Sequence, residues 1–170
     1  FSPCGKFLIA GGYDATIQRW DVSGDEVSRL NPCLGHHAWV QCLAFIPTTE
    51  RIVSADSWGQ IAVWQYTDET PAPVWKNEAA HDGWVRAIAV SPDGQRIASG
   101  GNDRVLRIWS AADGTLLKEW PHPEKIFSLC FHPSGTSLVS GDLKGVIRDW
   151  GVDSATARRE FDARVLYQFD

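Results

Sequence analysis

The chain has 170 residues, 44% apolar and 22% charged, the make-up of a folded globular protein long enough to bury a substantial core. Its net charge of -5, with 16 scattered Lys and Arg, argues against nucleic acid or an anionic membrane as partner, because both need clustered positive charge. No apolar run approaches the roughly 18 residues of a spanning helix, and no charged-then-apolar leader is visible, so a cytoplasmic protein is expected.

In chain order, the turn "SPCG" is followed by the strands "FLIAGG" and "TIQRWD", joined through "YDA", and then by the more polar "VSRLN". The apolar run "WVQCLAF" (39–45) opens a second unit, continued by "IPTT", "RIVSA", "DSWG", "IAVWQY" and "VWKNE". "WVRAIAV" (84–90) opens a third, with "SPDG", "RIASG", "NDR", "VLRIWS" and "LLKEW". "KIFSLCF" (125–131) opens a fourth, with "HPSG", "SLVSG", "DLKG", "VIRDWG" and "ARREF", and "RVLYQF" (164–169) begins one more. Each segment is rich in β-branched and aromatic residues and is bounded by turn formers, so each reads as a strand. We call the four strands of a unit a, b, c and d. Strand a, the most apolar, is expected to be buried on both faces, and strand d, the most polar, to form an exposed sheet edge.

Fixed spacings tie the units together. Pro3 and Trp20, Pro47 and Trp64, Pro92 and Trp109, and Pro133 and Trp150 are each 17 residues apart, and successive tryptophans follow at 44, 45 and 41. His36, His81 and His122 precede their tryptophan by 28 residues, and Ser54, Ser99 and Ser140 precede theirs by 10. An aspartate falls in the turn between strands b and c, six residues before the tryptophan for Asp14 and Asp103 but eight for Asp56 and Asp142. Four strands in about 40 to 45 residues is the period of a propeller blade, and the stripes of a helical repeat are absent.

On these residues the chain resembles a run of WD repeats, the blades of a β-propeller, over nearly its whole length. The "SPDG" turn, "ASGGNDRVLRIW" (98–109), the Gly35-His36 pair and "RWD" (19–21) carry the likeness; the later units end "VWQ", "IWS" and "DWG". The resemblance implies an all-β segment of about four four-stranded antiparallel blades, with units over 1–38, 39–83, 84–124 and 125–163 and a terminal strand in 164–170. It also implies hydrogen-bonded tetrads: His36, Ser54, Asp56 and Trp64; His81, Ser99, Asp103 and Trp109; His122, Ser140, Asp142 and Trp150. The first unit has Ala10 in the serine position. The chain lacks methionine and opens inside a repeat with "FSPCG", so a piece of a propeller of about seven blades is expected. Such a piece is expected to oligomerise or aggregate through its exposed blade faces.

Ser, His and Asp together invite a hydrolase reading, but a triad is needed once, and three copies in register make sense as buried networks holding each blade. No catalytic residue is assigned, and the chain is expected not to be an enzyme. Cys4, Cys33, Cys42 and Cys130 form no CxxC pair, and Cys42 and Cys130 fall in apolar strands, so buried or incidental reduced thiols are expected. His37 and Asp82 recur at no ligand spacing, so neither a metal nor a cofactor is expected.

Function is then sought in loop positions that differ between units: Trp39, Trp84 and Lys125 ahead of strand a, and Tyr13, Trp58, Asn102 and Leu143 in the b-to-c turns. In WD-repeat proteins both sets lie on one docking face. Packing between blades is the expected role of Trp39 and Trp84, and partner contact that of Trp58, an indole in a tight turn. The expected function is a non-catalytic scaffold for a protein or peptide partner; the alternative is a regulatory or targeting domain of a larger signalling or enzymatic chain.

Overall fold

The computed structural model describes residues 1–154 and 156–162, and every regular element among them is a β-strand. The expected strand over 164–169 lies outside the described residues. β1 (Phe7–Gly11), β2 (Thr16–Asp21) and β3 (Ser28–Leu34) form a three-stranded sheet. β4 (Val40–Ile46), β5 (Arg51–Asp56), β6 (Ile61–Gln65) and β7 (Pro73–Asn77) form a four-stranded sheet in sequence order. β8 (Val85–Val90), β9 (Arg96–Gly101), β10 (Val105–Ser110) and β11 (Leu116–Pro121) repeat it. So do β12 (Ile126–Phe131), β13 (Ser137–Asp142), β14 (Val146–Gly151) and β15 (Thr156–Asp162). All pairs are antiparallel, the arrangement that short turns between successive strands require.

The register places the recurring residues. In β5–β6, Ser54 lies opposite Ala62 and Ile52 opposite Trp64. Ser99 likewise faces Arg107 in β9–β10, and Ser140 faces Arg148 in β13–β14. Because side chains alternate, the tryptophan, the serine and the residue two before the tryptophan share a face. A bulge separates that tryptophan from the preceding residue in the pairings β6–β7, β10–β11 and β14–β15.

The chain forms two compact units, the first over Phe1–Val85 and the second beginning at Arg86. The core of the first gathers Ile17, Val40, Ile52, Ala62, Trp64 and Tyr66, with Phe7 and Phe45 edge-on to the Tyr66 ring at 5.5 and 5.4 Å. The core of the second gathers Leu106, Ile108, Ile126, Phe131, Leu138 and Trp150. Each Val, Leu, Ile or Phe among them contributes about 1.5 to 3 kcal/mol by leaving water. Gly100 lies so close to Ile126 that a Cβ would stand 2.6 Å from its Cδ1, so a larger residue there would push β9 off β12.

Arg19, at 1% exposure, is the one Lys or Arg of the first unit that is buried. It occupies the place before the tryptophan that Val63 and Ile108 fill in later repeats. Its Nε donates to the Asn31 carbonyl at 2.7 Å, and its Nη1 donates to the carbonyls of Tyr66 and, at 2.9 Å, Asp68. The guanidinium ties β2 to β3 and to the segment after β6 through main-chain acceptors.

Two expectations are corrected. The first strands of the units are not buried on both faces: β8 alternates between buried and half-buried, and β12 exposes Phe127, Ser128 and Cys130. The most buried strands are β5, β6 and β9, which hold interior places in their sheets, whereas β4, β8 and β12 are edge strands within theirs. The cysteines follow: all four are free, Cys130 is exposed, and the buried one is Cys33 in β3, whose thiol burial pushes up to about 11 against the pull of Arg19. The polar fourth strands are exposed, as β11 and β15 show.

Candidate functional site

Two kinds of site arise from the repeat: a buried polar network behind Trp64, Trp109 and Trp150, and the loop surface ahead of each first strand. In the sheet β4–β7 the network is a complete chain. Trp64 Nε1 donates to Ser54 Oγ at 2.8 Å, Ser54 Oγ lies 2.6 Å from His36 Nε2, and His36 Nδ1 lies 2.9 Å from Asp56 Oδ2. The Asp56 carboxylate can only accept, so a neutral His36 presents Nδ1–H to it and accepts the serine O–H at Nε2, while the indole N–H donates to the serine oxygen. His36, Ser54, Asp56 and Trp64 are all buried. Asp56 Oδ1 also accepts the amides of Trp58 and Gln60 at 2.9 and 3.0 Å, so one carboxylate both ends the network and pins the "DSWG" turn. Burial works to raise the Asp56 carboxyl, but the hydrogen bonds from His36, Gln60 and Trp58 outweigh it and hold it below the usual range.

Behind Trp150 the same start has a different end. Trp150 Nε1 donates to Ser140 Oγ at 2.8 Å and His122 Nε2 lies 3.0 Å from that oxygen, but His122 Nδ1 donates to the Glu124 carbonyl at 2.7 Å. Asp142, expected in this tetrad, is instead ion-paired through Oδ2 to Arg148 Nη1, and its Oδ1 accepts the amides of Lys144 and Val146 at 2.9 and 3.0 Å. The reason is the residue opposite the serine: Arg148 shares the face of Trp150 and brings a stronger, charged donor to the aspartate. Burial pushes the His122 imidazole below its ordinary value, and the Arg148 charge works in the same direction.

In the third repeat Trp109 Nε1 donates to Ser99 Oγ at 2.8 Å. Asp103 receives Arg107 Nη1 at 2.7 Å, while Arg107 Nε reaches Glu119 at 3.0 Å, the arrangement that Arg148 makes with Asp142 and Glu160. His81 is buried, with its amide donating to the Gly59 carbonyl at 3.1 Å. These arginines, two residues before Trp109 and Trp150, were readable in the sequence and were missed as competitors for the aspartate.

The loop surface of the first unit brings four of the candidate contact residues together. Tyr13, Trp39, Trp58 and Trp84 line one cavity of about 410 Å³, with Asp14 and His37 beside them. The Tyr13 and Trp39 rings meet edge to face at 4.6 Å and 77°, and Trp39 and Trp84 at 5.7 Å and 73°. Tyr13 is 77% exposed, Trp58 70% and Trp39 43%, and Trp84 is half-buried. Trp58 is held out by a rigid turn: its amide is fixed to Asp56, and Gly59, at φ +93°, leaves no room for a Cβ, which would stand 2.0 Å from the His81 carbonyl oxygen. In the second unit, Asn102 Oδ1 accepts Arg86 Nε at 3.2 Å, and the exposed Leu143 donates its amide to the carbonyl of the exposed Lys125 at 3.0 Å.

Curated relatives share part of this chain. It is similar to the WD repeat, SAM and U-box domain-containing protein 1 of Danio rerio, at 34% identity over 41% of the chain and 14% of that protein. It is similar to the kinesin-like protein KIF21B of Homo sapiens, at 37% identity over 39% of the chain and 4% of that protein. It is also similar to the nuclear distribution protein PAC1 of Tuber melanosporum, at 31% identity over 38% of the chain and 14% of that protein. The matched stretch is thus well under a fifth of each relative's length. The sequence profile described as WD domain, G-beta repeat matches residues 1–21, 27–65, 74–110 and 114–148, more than half of the chain. With four strand repeats, the tryptophan-to-serine bonds and this match together, the chain belongs to the WD domain, G-beta repeat family.

Proposed function

We propose that the chain is a non-catalytic interaction module that presents the loop surface of its first unit to a protein or peptide partner. The observation that carries this reading is the aromatic cavity of Tyr13, Trp39, Trp58 and Trp84, with an exposed indole held on a hydrogen-bonded turn. Large rigid side chains kept in water are the ordinary anchors of protein interfaces. The Ser, His and Asp groups support it from the other side: Ser54 and Asp56 are fully buried and the serine oxygen already receives an indole proton, so no substrate carbonyl reaches them.

The test is affinity capture with the wild-type chain, Trp58→Ala and, as a control on an exposed residue of the second unit, Leu117→Ala. A partner recovered with the wild type and the control and reduced about tenfold or more with Trp58→Ala is the expected result. Equal recovery with Trp58→Ala overturns the reading. A second reading, a regulatory or targeting domain of a longer enzyme or signalling chain, is supported by the small fraction of each relative matched and by names that carry a U-box or a kinesin-like protein.

A further inference from the structure

We propose that the aromatic cavity of the first unit takes a lysine-type ammonium from the partner peptide, and takes its N-methylated form best. This rests on the docking surface proposed above and names the chemistry that surface recognises. The walls are electron-rich: Tyr13, Trp39, Trp58 and Trp84 line the cavity, and aromatic faces attract cations. One carboxylate sits in the same lining. Asp14 Oδ1 accepts the Thr16 amide and hydroxyl at 3.1 and 2.9 Å, and these bonds, with a smaller contribution from the Gln18 side chain, hold the carboxyl below its usual range, so it stands in the lining as a carboxylate. No Lys or Arg lines the cavity, and the nearby Lys76 is already paired with Glu78 at 2.7 Å. The site therefore offers negative potential with no Lys or Arg of its own, and the imidazole in its lining, His37, lies 3.8 Å from the Glu78 carboxylate.

Ring geometry selects among cations. Tyr13 against Trp39 and Trp39 against Trp84 stand at 77° and 73°, so successive rings make corners rather than parallel plates. A round ammonium can touch two faces of a corner at once, whereas a planar guanidinium stacks on one and turns its edge to the other. An unmodified ammonium brings three N–H donors, and the lining offers one carboxylate, Asp14, already engaged by Thr16; methylation removes donors while keeping the charge. The volume of about 410 Å³ exceeds what one head group fills, and exposed Tyr13 and Trp58 leave area for flanking peptide residues, which points to a peptide rather than a free amine.

The test uses the full chain labelled with nitrogen-15, following the indole N–H signals. The probes are N-acetyl-Nε-trimethyllysine methylamide and its neutral isostere, in which a carbon replaces the quaternary nitrogen. The cation is expected to shift the signals of Trp39, Trp58 and Trp84 with a millimolar midpoint, and the isostere to bind about tenfold or more weakly. Asp14→Asn is expected to weaken the cation by about threefold or more while unchanged Trp64 and Trp150 signals report an intact fold. Equal binding of the isostere overturns the inference and leaves the docking surface standing as an apolar one. No shift with either probe up to about 20 mM also overturns it, and the Trp58→Ala capture then judges the docking surface separately.

Discussion

The networks behind Trp64 and Trp150 share the same histidine and serine spacing and the same first hydrogen bond, yet their aspartates go to different partners. Asp56 closes on His36, where the residue opposite the serine is Ala62; Asp142 closes on Arg148, and His122 turns to a main-chain carbonyl. A conserved-looking spacing brings groups within reach of each other, but the strongest donor on that face decides which bond forms. Both arrangements leave every named polar group satisfied, which is what burial demands.

The sharpest way to break the comparison is Arg148→Met. It leaves Asp142 buried without its cation and is expected to cost on the order of 3 to 5 kcal/mol in urea unfolding. A loss under about 1 kcal/mol would show that the arginine does not hold the aspartate. Next come Ser54→Ala and Ser140→Ala, each of which strips an indole N–H and a histidine nitrogen of its partner. Both should cost about 2 to 4 kcal/mol, and they should match, because the two networks are alike up to the serine. Double-mutant cycles then separate them: His36 with Asp56 should couple by about 1 to 3 kcal/mol, and His122 with Asp142 by less than about 0.5 kcal/mol. Equal couplings would sink the distinction.

The smallest effect is a pH dependence. The folded His122 titrates below its ordinary value near about 6.5, so the unfolded chain binds the proton first. Stability is whole above that pH and declines beneath it, by no more than about 1.4 kcal/mol per pH unit for one proton. Asp56 and Asp142, both held below the carboxylate range, add a separate loss below about pH 4. Unfolding in urea at stepped pH should show both limbs in the wild type and only the lower limb in His122→Asn.

Most of the fold was legible because alternation and turn residues act locally: "VLRIWS" and "VIRDWG" coincide with β10 and β14. The tryptophan-to-serine bonds were legible for the same reason, since a fixed offset across a tight hairpin fixes a cross-strand neighbour. Where acceptors are contested, offset is not enough. Asp142 needed the donor strength of Arg148 to be weighed against that of a neutral imidazole, and Cys130 needed the strand's place in its sheet, not its apolar neighbours. The aromatic cavity was half-visible. Its aromatic members were placed on one face by the resemblance, with Trp39 and Trp84 expected to pack between blades, and the part of Asp14 in the lining came only with the folded loops.

Arg19 leaves a different kind of trace. Its acceptors are the carbonyls of Asn31, Tyr66 and Asp68, which every amino acid supplies. A substitution at 68 can leave the bond intact, while lysine at 19, with one nitrogen, cannot reproduce bonds that start from two. Across homologues this contact would hold position 19 fixed and let its partner at 68 drift. It would produce no paired changes, and a search for co-varying positions would pass over one of the ties that binds the first sheet to the segment after β6.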